Sequence, residues 1–449
     1  MAVGAPPAVG APGGFRPRTW IAPLVAGFVA LVLSLLVVST GTWSVFDEYT
    51  HFDYVVKLGE GLALPPVNDT IGQEAMRAAV CDSAPGFGNL APSCGAQLFD
   101  TTMAPYRGAS TATGYLPTYY AATGLGARAL VALPGDLSWL HASRIMGSIY
   151  LAIAAMLLVG IARRLRATSL IGAAAAITVA AMPMVLLQFS TVNNDQLAVV
   201  LSLAAVYAFL AMRGSRRWAR WLVAFGLAGL AMTTKETALI GVAAVLVLAV
   251  REAWRRWRPM AVAVVLAGAC VVIPFALRDL AYPSIVGSFP DNGLQNAAIL
   301  ASQGTPPINL VFANALQQIG TVFAVPETFL SGGWFAVAAL VGALIAFGLP
   351  LAAVLRITRR SQWRSRRILL SVLVLAFPVV FIAGFLLMLR ISGLPLFFQP
   401  RYLLPVAMLA MAVAATFVRP AWWRLVVPVA GGFAIIVAVA AALAPAWAG

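Results

Sequence analysis

Charge is scarce in this chain, and its scarcity removes whole classes of protein. Only 10% of the 449 residues are Asp, Glu, Lys or Arg, against 61% hydrophobic. A water-soluble globule must cover its outside with polar groups, so that class is excluded. Histidine occurs twice, at His51 and His141, so a two-histidine zinc hydrolase centre would need both. No Gly-rich phosphate loop appears, which argues against a nucleotide site. No internal repeat is visible either, which argues against a transporter built from duplicated halves.

What remains is a succession of apolar runs, reflected in a mean hydropathy of +0.90. A bilayer span needs about 20 such residues, with a lower limit near 17. Residues 20–40, 145–161, 261–277, 334–355, 368–389 and 425–446 meet that length. The sequence therefore predicts an all-α polytopic membrane protein of about eleven transmembrane helices. Its net charge of +15 does not point to nucleic acid, because the arginines sit in short hinges between apolar runs. These hinges, "RRLR", "RGSRRWAR", "REAWRRWR" and "RITRRSQWRSRR", are the positive-inside signal of cytoplasmic connections. That threading sets the N-terminus in the cytoplasm, the C-terminus outside, and all acids but Glu252 on or near the outer face.

Residues 1–18, rich in Gly, Pro and Ala, are expected to form a disordered cytoplasmic N-terminus, and 19–449 a single transmembrane domain. The first apolar run is too long for a signal-peptide core and is expected to be retained as a helix. A large first extracytoplasmic loop, 41–143, holds nine of the fifteen acids, and 278–333 forms a second large loop. The first loop predicts one helix from Asp47 to about Glu60, another around Ile71–Val80, and an amphipathic surface helix in "GYLPTYYAATGLGARAL". Tyr54, Tyr115, Tyr119 and Tyr120 are expected as interface anchors. Cys270 lies in an apolar run, whereas Cys81 and Cys94 share the oxidising loop. A bridge between those two would close a short loop and contribute roughly 3 kcal/mol.

Three carboxylates and one histidine crowd into Asp47–Asp53, directly behind the first span. On a helix Asp47 and His51 would share a face, with Glu48 beside them. Acids in the first turn are also favoured by the helix dipole alone. A carboxylate held at lipid-surface depth gains basicity and can deprotonate a hydroxyl. "DEYTH" has Asp where a zinc HExxH motif has its first histidine, and carboxylates suit Mg²⁺ or Mn²⁺ better. No cofactor is assigned, with a divalent ion on Asp47 or Glu48 left open. Lys235, in the turn "MTTKET", and Arg401, at the start of a later span, are the candidate phosphate ligands, with snorkelling as the plainer account. Glu236 is read as neutralising Lys235 or as part of the site. Asn193, Asn194 and Asp195 open another span, where capping accounts for one of them. His51, Asn194, Asp195, Glu236 and Tyr402 complete the candidate substrate-binding set.

"FDEYTHFDYV", with its acidic pair behind the first span, resembles the GT-C superfamily of membrane glycosyltransferases. It is most similar to an uncharacterised bacterial branch whose first loop reads P-D-E-x-x-H-F-x-Y, with Phe46 here in place of the proline. "NNDQLAVVLSLAAVYAFLAMR", "TTKETALIGVAAVLVLAV", "SGGWF" and "QPRYLLPVAML" resemble further segments of that branch, in order, with Pro400 where glycine is usual. The resemblance covers Asp47 to about Met408. It implies a GT-C-like helical bundle in the bacterial plasma membrane that takes a polyprenyl-phosphate-linked sugar on the extracytoplasmic face. The acceptor would be an envelope glycan, glycolipid or protein, with membrane lipids as the surroundings and no nucleic acid as partner. Asp47 or Glu48 would be the base of an inverting transfer, with Arg401 and Lys235 on the departing phosphate. A transporter or flippase of lipid-linked saccharides, or a non-catalytic envelope-assembly protein, are the alternatives; spans almost free of charge weigh against passage.

Overall fold

A backbone passing through hydrocarbon has no water to bond, so apolar runs of this length coil into helix. The computed structural model describes residues 18–282 apart from 40, 42, 45–46, 62, 83, 85–86, 88–93, 95–97 and 213. It also describes 343–357, 365–392 and 400–418, with the positions 421, 429, 431 and 432. Among the described residues there is no strand, and one isolated bridge joins Thr70 to Ala109. The N-terminus expected to be disordered, most of the second large loop with "SGGWF", and nearly all of the last expected span lie outside the described residues, so the count of eleven extends beyond them.

In chain order the helices begin with α1 (Arg18–Val38), α2 (Glu48–Gly61), α3 (Gln73–Cys81), α4 (Thr118–Val131) and α5 (Trp139–Arg164). Next come α6 (Ser169–Ala180), α7 (Pro183–Ser190), α8 (Asp195–Ala211), α9 (Arg217–Met232) and α10 (Leu239–Ala253). The last are α11 (Trp257–Ala281), α12 (Leu349–Leu355), α13 (Arg366–Ser392) and α14 (Leu404–Ala414). Among the described residues Trp20–Val38, Trp139–Arg164 and Trp257–Ala281 are each long and apolar enough to span a bilayer. The α6–α7 pair also qualifies, bent by 71°. The bend falls at Pro183, which opens α7, lacks an N–H and would clash with a carbonyl of the preceding turn.

The outside of this bundle is apolar, as a lipid-facing surface requires: Phe28 on α1 and Leu280 on α11 are 67% and 80% exposed. Inside, α5 packs against α1, α4, α6 and α8, while α9, α10 and α11 pack on one another. All eleven residues of α14 are buried, because α14 runs between α5, α6, α8 and α13. The turn from α7 to α8, expected as an outer connection, is packed rather than exposed, with Gln188 through Gln196 buried.

The first loop folds into a body of its own, packed on the ends of the spans. Cys81 and Cys94 are joined in a disulfide there. Eleven of the fourteen residues of α2 are buried, so it is an interior helix rather than a surface one. The amphipathic pattern of α4 is present, with Tyr119, Tyr120, Thr123, Gly124 and Ala127 on its buried face. Tyr119 and Tyr120 are fully enclosed, and Tyr54 donates to or accepts from Tyr282 at 2.9 Å. The expectation that these tyrosines anchor a membrane surface is therefore corrected: α2 covers the face that lipid headgroups would have taken.

Glycine sets how closely α2 and α4 approach. A Cβ on Gly124 would lie 2.7 Å from the Val55 carbonyl oxygen and 2.9 Å from the Gly59 nitrogen, both backbone atoms. Such overpacking costs about 1–3 kcal/mol when the neighbours cannot yield. Gly124→Val is expected to lower the thermal midpoint of the detergent-solubilised protein, whereas Gly61→Ala, with open space around its Cβ, is expected to leave it within about 0.5 kcal/mol. Equal midpoints for wild type and Gly124→Val would refute the close approach.

Candidate functional site

A left-handed turn at Asp47, just before α2 opens at Glu48, divides the acidic pair. Glu48 turns inward and is fully buried. Arg144, on α5 and itself 1% exposed, donates from Nε to Glu48 Oε1 at 2.9 Å and from a terminal nitrogen to Oε2 at 3.1 Å. The Ser44 N–H donates to Oε2 at 2.8 Å and the Val192 N–H to Oε1 at 2.9 Å. The Arg144 guanidinium also lies over the Trp43 ring, 5.1 Å from its centroid. Glu48 thus ties the first loop, α5 and the α7–α8 turn to one point, with both oxygens occupied.

Asp47 precedes the helix instead of joining it. Its backbone has φ = 54°, in the left-handed region that Asp enters more readily than bulky residues. Its carbonyl accepts from the Thr50 N–H at 3.1 Å and the Thr50 hydroxyl at 2.9 Å, which holds the turn. Burial raises the Asp47 carboxyl above its ordinary value, and the charges of Arg401 and Lys235 work against that rise. The side chain therefore lies within electrostatic reach of both cations.

Those cations meet on Asp195, the first residue of α8. Lys235 Nζ lies 2.9 Å from Asp195 Oδ2, and Arg401 Nε lies 3.8 Å from the same oxygen. All three are buried. The sequence places Lys235 in the turn between α9 and α10, and Arg401 in a 3₁₀ turn just before α14. Asn193 caps locally, its Oδ1 accepting from the Asp195 N–H at 3.1 Å, which frees its neighbours for longer-range contacts. Asn194 donates to the Thr234 carbonyl at 3.1 Å. Asp195 Oδ1 and Asn194 Oδ1 are buried and accept no hydrogen bond among the described residues. Such acceptors call for a water or ligand hydroxyl, because a buried polar atom left bare is costly.

Aromatic rings close the space above the cations. Lys235 Nζ stands 5.1 Å from the Tyr402 ring centroid and 5.9 Å from that of Tyr115. His51 Nδ1 lies 2.8 Å from the Tyr120 hydroxyl. Burial pushes the His51 imidazole well below 6.5, and Lys235 and Arg401 push it further, so it is neutral near pH 7. A small recess beside this group is lined by Tyr115, Thr233, Lys235, Glu236, Phe275 and Arg278.

Residues from four separate stretches, Asp47 and His51, Asp195, Lys235, and Arg401 with Tyr402, are thus brought together. Two readings change. Glu236 makes its ion pair with Arg278, at 3.0 Å, while Lys235 takes Asp195 and feels Glu236 only at longer range. Glu48 does not share Asp47's surroundings, because Arg144 and two backbone N–H groups take it, whereas His51, bonded to Tyr120, feels the same two cations as Asp47. Arg144 went unread in the sequence, although an arginine close to the start of an apolar span needs a buried anion, and Glu48 was an available one. His141 lies within α5, its N–H bonded to the capping Ser138 hydroxyl at 3.3 Å, away from the acids. Among the described residues no three His, Cys, Asp or Glu side chains converge. Glu48's oxygens already accept four hydrogen bonds, so the pair does not fit a shared Mg²⁺ or Mn²⁺.

A family described as "Predicted membrane protein (DUF2142)" matches residues 30–410. No curated protein matches the chain. Among solved structures it is similar to ArnT from Cupriavidus metallidurans, in two crystal structures. The one bound to undecaprenyl phosphate is 15% identical, with a TM-score of 0.38 over 96% of this chain and 79% of that one. The apo state is 17% identical, with a TM-score of 0.38 over 96% and 78%.

Removing one partner of a buried ion pair costs about 3–5 kcal/mol, because the other charge is left uncompensated. Glu48→Gln is therefore expected to lower thermal stability in detergent sharply, and the double change Glu48→Met with Arg144→Met to recover much of the loss. A Glu48→Gln protein as stable as wild type would remove the anchoring role.

Proposed function

The chain belongs to the family described as predicted membrane protein (DUF2142), and on that footing we propose that it is a membrane glycosyltransferase. It takes a sugar from a polyprenyl-phosphate donor and passes it to an envelope glycan, lipid or protein on the extracytoplasmic face of a bacterial plasma membrane. The observation that carries this reading is Asp47: a carboxylate of raised basicity, in a left-handed turn, at the end of the first span and within reach of two buried cations.

The chemistry is a single displacement with inversion. Asp47 takes the proton of an acceptor hydroxyl as the hydroxyl oxygen attacks the anomeric carbon. The bond from that carbon to the phosphate oxygen breaks, and the electron pair leaves with polyprenyl phosphate. Lys235 and Arg401 face the charge that develops on that phosphate; the ammonium has three donors and spends one on Asp195. Arg401 offers the planar fork that suits phosphate oxygens. Asp195 Oδ1 and Asn194 Oδ1, both lacking a described donor, would receive sugar hydroxyls. Glu48 stays out of the proton transfer and holds the turn that aims Asp47.

The test is transfer from a panel of radiolabelled polyprenyl-phosphate hexoses and pentoses to membrane acceptors by the full-length protein in nanodiscs. Asp47→Asn is expected to lose about 10²–10⁴-fold in rate while still binding donor. Arg401→Gln is expected to weaken donor binding about tenfold or more, the loss of one charge-assisted phosphate contact. Because the base must be ionised and its carboxyl is raised, the wild-type rate should climb with pH through a value above 3.8. His51, held neutral, should add no inflection near 6.5. Unchanged transfer in Asp47→Asn would remove the base, and no donor binding by any form would remove the class.

A further inference from the structure

The end of the bundle remote from Asp47 carries a second polar concavity that the proposed chemistry does not use. Arg144 and Arg164 both lie on α5, and the 20 residues between them span about 30 Å of helix, one hydrocarbon thickness. At the Arg164 end, a cavity of about 400 Å³ is lined by Arg164, Arg166, Arg251, Ser365, Arg366 and Arg367. Its arginines come from three directions: the end and exit of α5, the last turn of α10, and the start of α13. Neither α5 nor α13 contains an acid, and the acid of α10, Glu252, is engaged by Arg220.

Beside it runs a groove of about 360 Å³ with a different lining. Six of its nine lining residues are apolar, among them Leu349, Ala352, Ile368 and Phe417; Arg356 also lines it, and it shares Ser365 and Arg367 with the arginine cavity. A cluster of guanidiniums joined to an apolar trough is complementary to an amphiphile with an anionic head. Arginine forks match phosphate oxygens in pairs, and basic side chains near a membrane surface attract anionic lipid. We propose that this end of the bundle binds one anionic phospholipid, its phosphate in the arginine cavity and the first part of an acyl chain in the groove. Both elements are needed: the cavity alone would take any soluble polyanion, and the groove alone any acyl chain. The bound lipid would bridge α5, α10 and α13.

The test is lipid titration of the purified full-length protein, followed by native mass spectrometry, with phosphatidylglycerol and phosphatidylcholine of matched chains. Phosphatidylglycerol is expected to bind about tenfold tighter, and Arg164→Gln with Arg366→Gln to reduce that preference to about twofold or less. Arg255→Gln with Arg258→Gln, in a basic hinge outside the cavity, should keep it. Ala352→Trp, which fills the groove, should weaken phosphatidylglycerol binding but not that of pyrophosphate. Should the Arg164 and Arg366 pair prove too unstable to purify, Arg366→Gln alone is expected to give about half the effect on a logarithmic scale. Equal loss in the hinge variant would reduce the effect to general charge attraction and overturn the site. Tight pyrophosphate binding without any lipid preference would overturn the lipid and leave a soluble polyanion as ligand.

Discussion

One buried ion pair, Glu48 with Arg144, sets the geometry at the acidic end of this protein. Taking two charges out of water costs several kcal/mol per ion, and the cost is offset only when every donor and acceptor finds a partner. Here it does: two guanidinium donors and two backbone N–H groups fill the carboxylate. The three backbones that supply them belong to the first loop, to α5 and to the α7–α8 turn. Asp47 lies one residue before this anchor, so the position of its carboxylate follows from that of Glu48.

The anchor also explains why two neighbouring acids behave differently. Glu48 accepts four hydrogen bonds and is held in a fixed place. Asp47 lies partly covered, among cations that lean toward it without claiming it, and its carboxyl is raised by burial. A base needs an available lone pair, and an anchor needs none left over. The same division recurs across the site, where Asp195 commits one oxygen to Lys235 and leaves the other without a described donor.

The two ends of the bundle differ in the sign of what they gather. Carboxylates with a few matched cations occupy one end; arginines with almost no acid occupy the other. Between them the spans are lined by alanine, leucine and valine, which let helices pack closely but hold no charge. The charged groups thus differ in kind along the helix axis, with ion pairs at one end and clustered guanidiniums at the other.

Composition and hydropathy alone determined that the chain is helical and built for a membrane, because hydrocarbon tolerates little else. Spacing located the first-loop acids, and the scarcity of charge drew attention to Asp195, Lys235 and Arg401, since an ionisable residue at a span's edge stands out against an apolar background. Partners were another matter. That Glu48 answers Arg144 across 96 positions, that Glu236 goes to Arg278, and that Tyr119 and Tyr120 turn inward depend on which helices stand side by side. A periodic pattern states that a face is buried, but not against what. Interior or lipid, both are apolar, so in a membrane protein only the tertiary arrangement separates them.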